Sequence, residues 1–192
     1  HFARGARARH DEQLGVGQVL AGDNDPVQYS CQRNYSILTT DGYWNTLFET
    51  PQYGPKKIDN VTDVGDQDGV AGTPRPFFDA SAAINSLADI ALYYYATDLR
   101  PAGSTGGLLD DGVTTLDVSE DNVPPSGDDT AAWQHMATFA LGLGVSGVLA
   151  YSDDYLNGGS ADYNEIVAGT KEWPNPHSNP LDPDYGKTTV IE

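Results

Sequence analysis

The chain has 192 residues, 28 of them acidic and 10 basic, giving a formal net charge of −18. Such a field repels phosphate backbones and anionic lipid heads, which argues against nucleic acid or an anionic membrane surface as a partner. A hydrophobic share of 39% with 21 glycines and 12 prolines fits one domain, or a large part of one, with a modest core among long irregular loops.

Residues 1–26 carry Arg4, Arg7 and Arg9 and read as a helix or loop ahead of the core. The opening "HFARGARARHDEQ" lacks the apolar centre of a signal peptide, and no apolar run approaches the roughly 18 residues that span a bilayer, so no membrane insertion is expected. Cys31 is the single cysteine. An internal disulfide is therefore impossible, and the thiol is free or pairs with a partner outside the chain.

The first core element is Tyr35 to Thr40, a β-prone run closed by Asp41-Gly42, which is a strong turn signal. A long connection follows, "TPQYGPKKIDNVTDVGDQDGVAGTPRP", in which Asp63, Asp66 and Asp68 precede Gly69. This matches part of a calcium loop, but the acidic spacing is irregular and Arg75 stands where an EF-hand would place its glutamate.

A helix is expected from about Ala82 to Leu99, because Ile84, Leu87, Ala88, Ala91, Leu92 and Tyr95 repeat with helical spacing. Asp79 or Ser81 can cap its start, and Arg100-Pro101 marks its end. The next stretch, "PAGSTGGLLDDGVTTLDVSEDNVPPSGDD", reads as a second long connection.

His135 to Val145, "HMATFALGLGV", is an almost continuous apolar run, as expected of a strand covered on both faces of a parallel sheet. A shorter helix is expected from Ser160, its cap, to about Lys171, ended by "WPNP". Residues 177–192 read as an irregular tail. Strand, helix and strand in this order form a βαβ unit, so the fold class is α/β.

In an open parallel sheet, ligands gather at the carboxyl ends of the strands, and Asp41 sits at that edge. With Thr39 and Thr40 beside it, Asp41 can hold a hard divalent cation directly or through water. On "TDG" alone, the plainer reading is a turn-opening aspartate that accepts backbone N–H bonds.

Enzymatic constellations are sparse. The histidines His1, His10, His135 and His177 form no metal-binding pair, and neither a Gly-x-Ser-x-Gly elbow nor a phosphate-binding loop occurs. His135 reads as a strand-end histidine in a polar contact. Trp44, Trp133, Trp173 and Tyr93 to Tyr95 offer a sugar-binding or adhesive surface, or else serve as core, as expected for Tyr95.

The successive motifs "YSCQRNYSILTTDGYWN", "LADIALYYYATDLRP", "NVPPSG", "TAAWQHMATFALGLGVSGVL" and "GTKEWPNP" resemble the amino-terminal region of the PilC/PilY family of type IV pilus tip adhesins and biogenesis factors. The resemblance covers about Val27 to Pro176. It implies a von Willebrand factor A-like, Rossmann-like doubly wound sheet, partial in this chain, with 1–192 as a single partial domain whose family-like core is 27–176.

In that fold a metal-ion-dependent adhesion site combines an Asp-x-Ser-x-Ser loop, a threonine loop and an aspartate at a "TDG"-like strand end. By resemblance Asp41, with Thr40, matches the third part, and a divalent cation, magnesium or calcium, would engage an acidic group of a partner. The first two parts are absent, as is the carboxyl-terminal β-propeller of the family, so the expectation is an excerpt, or a fold completed by the rest of its polypeptide or by neighbouring chains.

The resemblance further implies a non-enzymatic module at the bacterial surface or pilus tip, with the pilus tip, minor pilins and a host or surface ligand as partners. Cys31 would have its disulfide partner outside the chain. Two other classes are a structural subunit of a surface filament and a metal-dependent hydrolase using Asp41, Asp63 and His135 around one cation.

Overall fold

The computed structural model describes residues 26–40, 55–80, 84–108, 111–143 and 147–175. They group into two compact units, one from residues 26–33, 56–62 and 98–134, the other from residues 34–40, 55, 63–97 and 135–175.

The second unit contains the expected crossover. Strand β1, Asn34–Thr40, and strand β4, Met136–Gly142, run parallel in register from Asn34 opposite Met136 to Thr40 opposite Gly142. Helix α1, Leu87–Ala96, lies between them in sequence and packs on β4. Parallel strands cannot be joined by a hairpin and need such a crossover.

The sheet differs from the expectation that both of its faces are covered. Tyr35, Ile37, Phe139 and Leu141 alternate onto one face and are all exposed, with the Tyr35 and Phe139 rings 5.8 Å apart. An apolar run records only that a strand has apolar side chains, and what packs against them is not written in that run. Among the described residues, β1 and β4 pair with each other in a two-stranded sheet.

Helix α1 starts later than its apolar pattern implies. Ser86 is its N-cap, in place of Asp79 or Ser81, and Ile84 lies outside the helix and is exposed. Asn85 adopts a left-handed φ of 58° immediately before the cap, which breaks the helical path there. The helix ends at Ala96, short of Leu99, where Thr97 turns extended and donates its N–H to the Tyr93 carbonyl at 3.0 Å. Its buried line is Asp89 and Tyr93, one turn apart, while Leu87 is exposed.

Helix α2, Ala161–Ala168, follows the expected pattern with a closer end. The Ser160 hydroxyl accepts the Tyr163 N–H at 3.2 Å, and Gly169 closes the helix with a left-handed φ of 74°. Arg75 donates to the Ile166 carbonyl at 3.2 Å and to Glu172 at 2.7 Å, so it tethers the carboxyl end of α2. Ile166 and Val64 are buried in this unit.

The first unit holds an element the sequence reading treated as connection. Strands β2, Thr105–Leu108, and β3, Thr115–Asp117, pair antiparallel with a register shift between Gly106 and Leu108. A side chain at Gly106 would lie 2.3 Å from the Val27 carbonyl and 2.6 Å from Val118, so glycine lets residue 27 close over the hairpin. Val27, Val118, Val123 and Ala131 are buried in this unit. Glycines and short polar residues hide the alternation that identifies a strand.

Candidate metal centre

The loop at residues 64–69 is tied to the start of α1. Gly65, at φ 72°, donates its N–H to Asn85 Oδ1 at 2.7 Å and accepts the Asn85 N–H at 3.1 Å. Ser86 and Asp89 then form a capping box. The Ser86 hydroxyl accepts the Asp89 N–H at 3.0 Å, and Asp89 Oδ2 accepts from Ser86 N–H at 2.8 Å and from the Ser86 hydroxyl at 2.9 Å.

Asp89 is fully buried, and its Oδ1 accepts the Gln67 N–H at 2.6 Å. One residue earlier in the loop, Asp66 Oδ1 accepts the Gly69 N–H at 2.6 Å. A side chain at Gly69 would sit 2.5 Å from that carboxylate. Glycine is therefore what lets the turn fold so tightly over Asp66.

Between these two carboxylates lies Asp68, only 5% exposed, whose carbonyl accepts the Asp79 N–H at 3.4 Å. Its Oδ1 is buried and has no hydrogen-bond partner. One carboxylate oxygen from each of Asp66, Asp68 and Asp89 lies within 4.8 Å of the others. Burial, then the neighbouring charges of Asp89, Asp79 and Asp66, push the Asp68 carboxyl up to about 7. Each of those causes disfavours its ionised form.

Three converging carboxylate oxygens suit a hard cation, which takes oxygen ligands. Of the residues singled out in the sequence, the structure brings Asp66 and Asp68 together and leaves Asp63 exposed, outside the group. The sequence reading missed Asp89. Its signal is the Ser-x-x-Asp spacing of Ser86 and Asp89, a helix-start pattern that also fixes where the carboxylate goes.

Thr40 closes β1 opposite Gly142 and is exposed, while Asp41 lies outside the described residues. His135 is buried at the start of β4 with its ring 5.0 Å from Tyr95, edge to face. Cys31 is exposed and free. Trp173 donates its indole N–H to the Pro76 carbonyl at 2.6 Å, and Trp44 lies outside the described residues. Among the described residues, no helix is long and apolar enough to cross a membrane.

No family model matches the chain, and no solved structure matches it. Three curated proteins of Pseudomonas aeruginosa are similar to it, each named type IV pilus biogenesis factor PilY1. The protein of strain PAK is 34% identical over 165 residues, 82% of this chain. That of strain UCBPP-PA14 is 35% identical over 153 residues, 79% of the chain. That of strain PAO1 is 32% identical over 176 residues, again 82% of the chain.

The chain spans 13% of the length of each of these relatives. The similarity takes in about four fifths of the chain at 32–35% identity. On this ground the chain belongs to the PilC/PilY family, as one region of it.

Proposed function

We propose that this region acts in type IV pilus biogenesis as a non-enzymatic, surface-located module built on a von Willebrand factor A-like sheet. The observation that carries the reading is identity of 32–35% to PilY1 over about four fifths of the chain. The parallel β1–α1–β4 crossover is the kind of unit from which a doubly wound sheet is assembled.

On this reading the minor pilins and the pilus tip are the module's partners inside the machinery, and a host or surface ligand is its partner outside. Thr40, which closes β1, and Asp41, next to it in the sequence, form part of a divalent-cation adhesion site, which the rest of the polypeptide completes.

The test is a chimera in which the matching region of Pseudomonas aeruginosa PilY1 is replaced by this chain, expressed in a strain lacking its own PilY1. The expected result is restored surface pili and twitching. An Asp41→Ala version should keep the pili and lose chelator-sensitive attachment. A stable chimera that yields no surface pili would overturn the biogenesis reading, and attachment indifferent to both chelator and Asp41→Ala would overturn the adhesion site.

A further inference from the structure

We infer that Asp66, Asp68 and Asp89 form a binding site for a hard divalent cation, of calcium type, that clamps the 64–69 loop to the start of α1. This site is separate from Asp41 and goes beyond the pilus reading, because its occupancy can be measured with no pilus present.

An acidic cluster alone does not make a site, since exposed carboxylates often share a surface. What sets this one apart is Asp68, more than nine tenths buried with an Oδ1 that no donor reaches. A buried polar atom without a partner costs free energy, and a bound ion is one of the partners that removes that cost. The charges acting on Asp68 are those of Asp89, Asp79 and Asp66, all negative. A cation is the ligand that relieves both the missing bond and the repulsion.

The geometry is of the right size. Calcium binds oxygen at 2.3–2.6 Å, so oxygens on opposite sides of one ion stand roughly 4.6–5.2 Å apart. The three carboxylate oxygens lie within 4.8 Å of one another. Asp89 is held by the capping box and by Gln67, and Asp66 by Gly69. Two ligands are thus oriented in advance by bonds that leave lone pairs for a metal.

Calcium fits better than magnesium. Magnesium demands near-ideal octahedral geometry and keeps most of its water, whereas calcium accepts irregular sets of six to eight oxygens supplied by loops. Here one helix-cap carboxylate and two loop carboxylates converge from irregular backbone, and Asp66 is exposed, which leaves an open side for water ligands.

The test is calorimetry on the 192-residue chain stripped with chelator, titrated separately with calcium chloride and magnesium chloride. The variants are Asp68→Asn, Asp66→Asn and a surface-charge control, Asp121→Asn. Thermal unfolding with and without calcium accompanies each titration. The expected result is one calcium per chain, bound more tightly than magnesium, with affinity reduced about tenfold or more by either site variant and unchanged by the control. A calcium-dependent rise in melting temperature should disappear with the affinity.

Asp66→Asn keeps the test decisive if Asp68→Asn does not fold, because Asp66 is exposed. Absence of calcium and magnesium binding by the wild-type chain would overturn the proposal, as would equal binding by Asp66→Asn. So would wild-type protein that binds no cation while Asp68→Asn melts higher than it does, because a proton on Asp68 would then account for the orphaned oxygen.

Discussion

Asp89 joins three jobs in one side chain: it completes the cap of α1, receives the Gln67 amide, and contributes a carboxylate to the acidic cluster. Its removal leaves three donors without their acceptor at a fully buried position. Losing the capping box, which includes both Ser86 donors, costs about 1 kcal/mol and stranding the Gln67 amide about 1–3 kcal/mol, so Asp89→Ala is expected to lower stability by about 2–4 kcal/mol in urea denaturation. A loss below about 1 kcal/mol would mean that Gln67 and Ser86 turn to water instead. Gly69→Ala acts differently, because the atoms nearest the new methyl belong to the end of the Asp66 side chain, 2.5 Å away. It should displace that carboxylate and weaken calcium binding about tenfold in calorimetry, while the melting temperature in chelator barely moves. At this scale the sequence was half legible. Asp66 and Asp68 stand out as acidic neighbours before a glycine, whereas Asp89 joins them through the Gly65–Asn85 and Gln67–Asp89 bonds, contacts between segments 20 or more residues apart.

The elements show where periodicity suffices and where it does not. Strand β1, strand β4 and the cap of α2 emerge from apolar runs and a well-placed serine. The start of α1 does not, because Ile84 extends the helical stripe while Asn85 turns left-handed and Ser86 caps. Arg75, which spoils the match to an EF-hand, has a structural use: it bonds the Ile166 carbonyl and Glu172 and lies 5.1 Å from the Phe78 ring centre. Arg75→Ala should therefore destabilise the chain by about 1–2 kcal/mol, read by thermal unfolding, and Arg75→Lys should recover part of the loss. The β2–β3 hairpin was illegible because glycines and threonines mask its alternation. Its loop is held by Asp111, which accepts from Val113 N–H at 3.0 Å, Thr114 N–H at 2.9 Å and the Thr114 hydroxyl at 2.7 Å. The Thr114 amide, its hydroxyl and the Val113 amide hold the Asp111 carboxyl down at about 2. A folded value below the unfolded value of about 3.9 means that the ionised carboxylate favours the closed loop. That contribution is present above about pH 4 and is lost as pH falls through about 2. The amide proton shifts of Val113 and Thr114 should titrate with a midpoint near 2 and should not do so in Asp111→Asn.

At the scale of the molecule, the parallel crossover was legible, and the gathering of the described residues into two units was not. The second unit depends on residues 63–97 meeting residues 135–175, and no local pattern records such pairings. The same unit carries an open face where Ile37 is 71% exposed and Phe139 is 57% exposed. In this chain a double substitution, Ile37→Ser with Phe139→Ser, should change unfolding free energy by less than about 1 kcal/mol, because little apolar area leaves water at either position. If a von Willebrand factor A-like sheet is completed by further layers, the same two side chains become buried in the PilY1 chimera. Full burial of an Ile or Phe stabilises by about 1.5–3 kcal/mol each, so the double substitution should then cost about 3–6 kcal/mol, lowering the proteolytic resistance of the chimera and the number of surface pili. The contrast between the two settings carries the argument, because each protein serves as the control for the other. Equal and small effects in both would mean that this face stays open to solvent in the complete protein, and that the exposed side chains of β1 and β4 await a partner rather than the remainder of their own sheet.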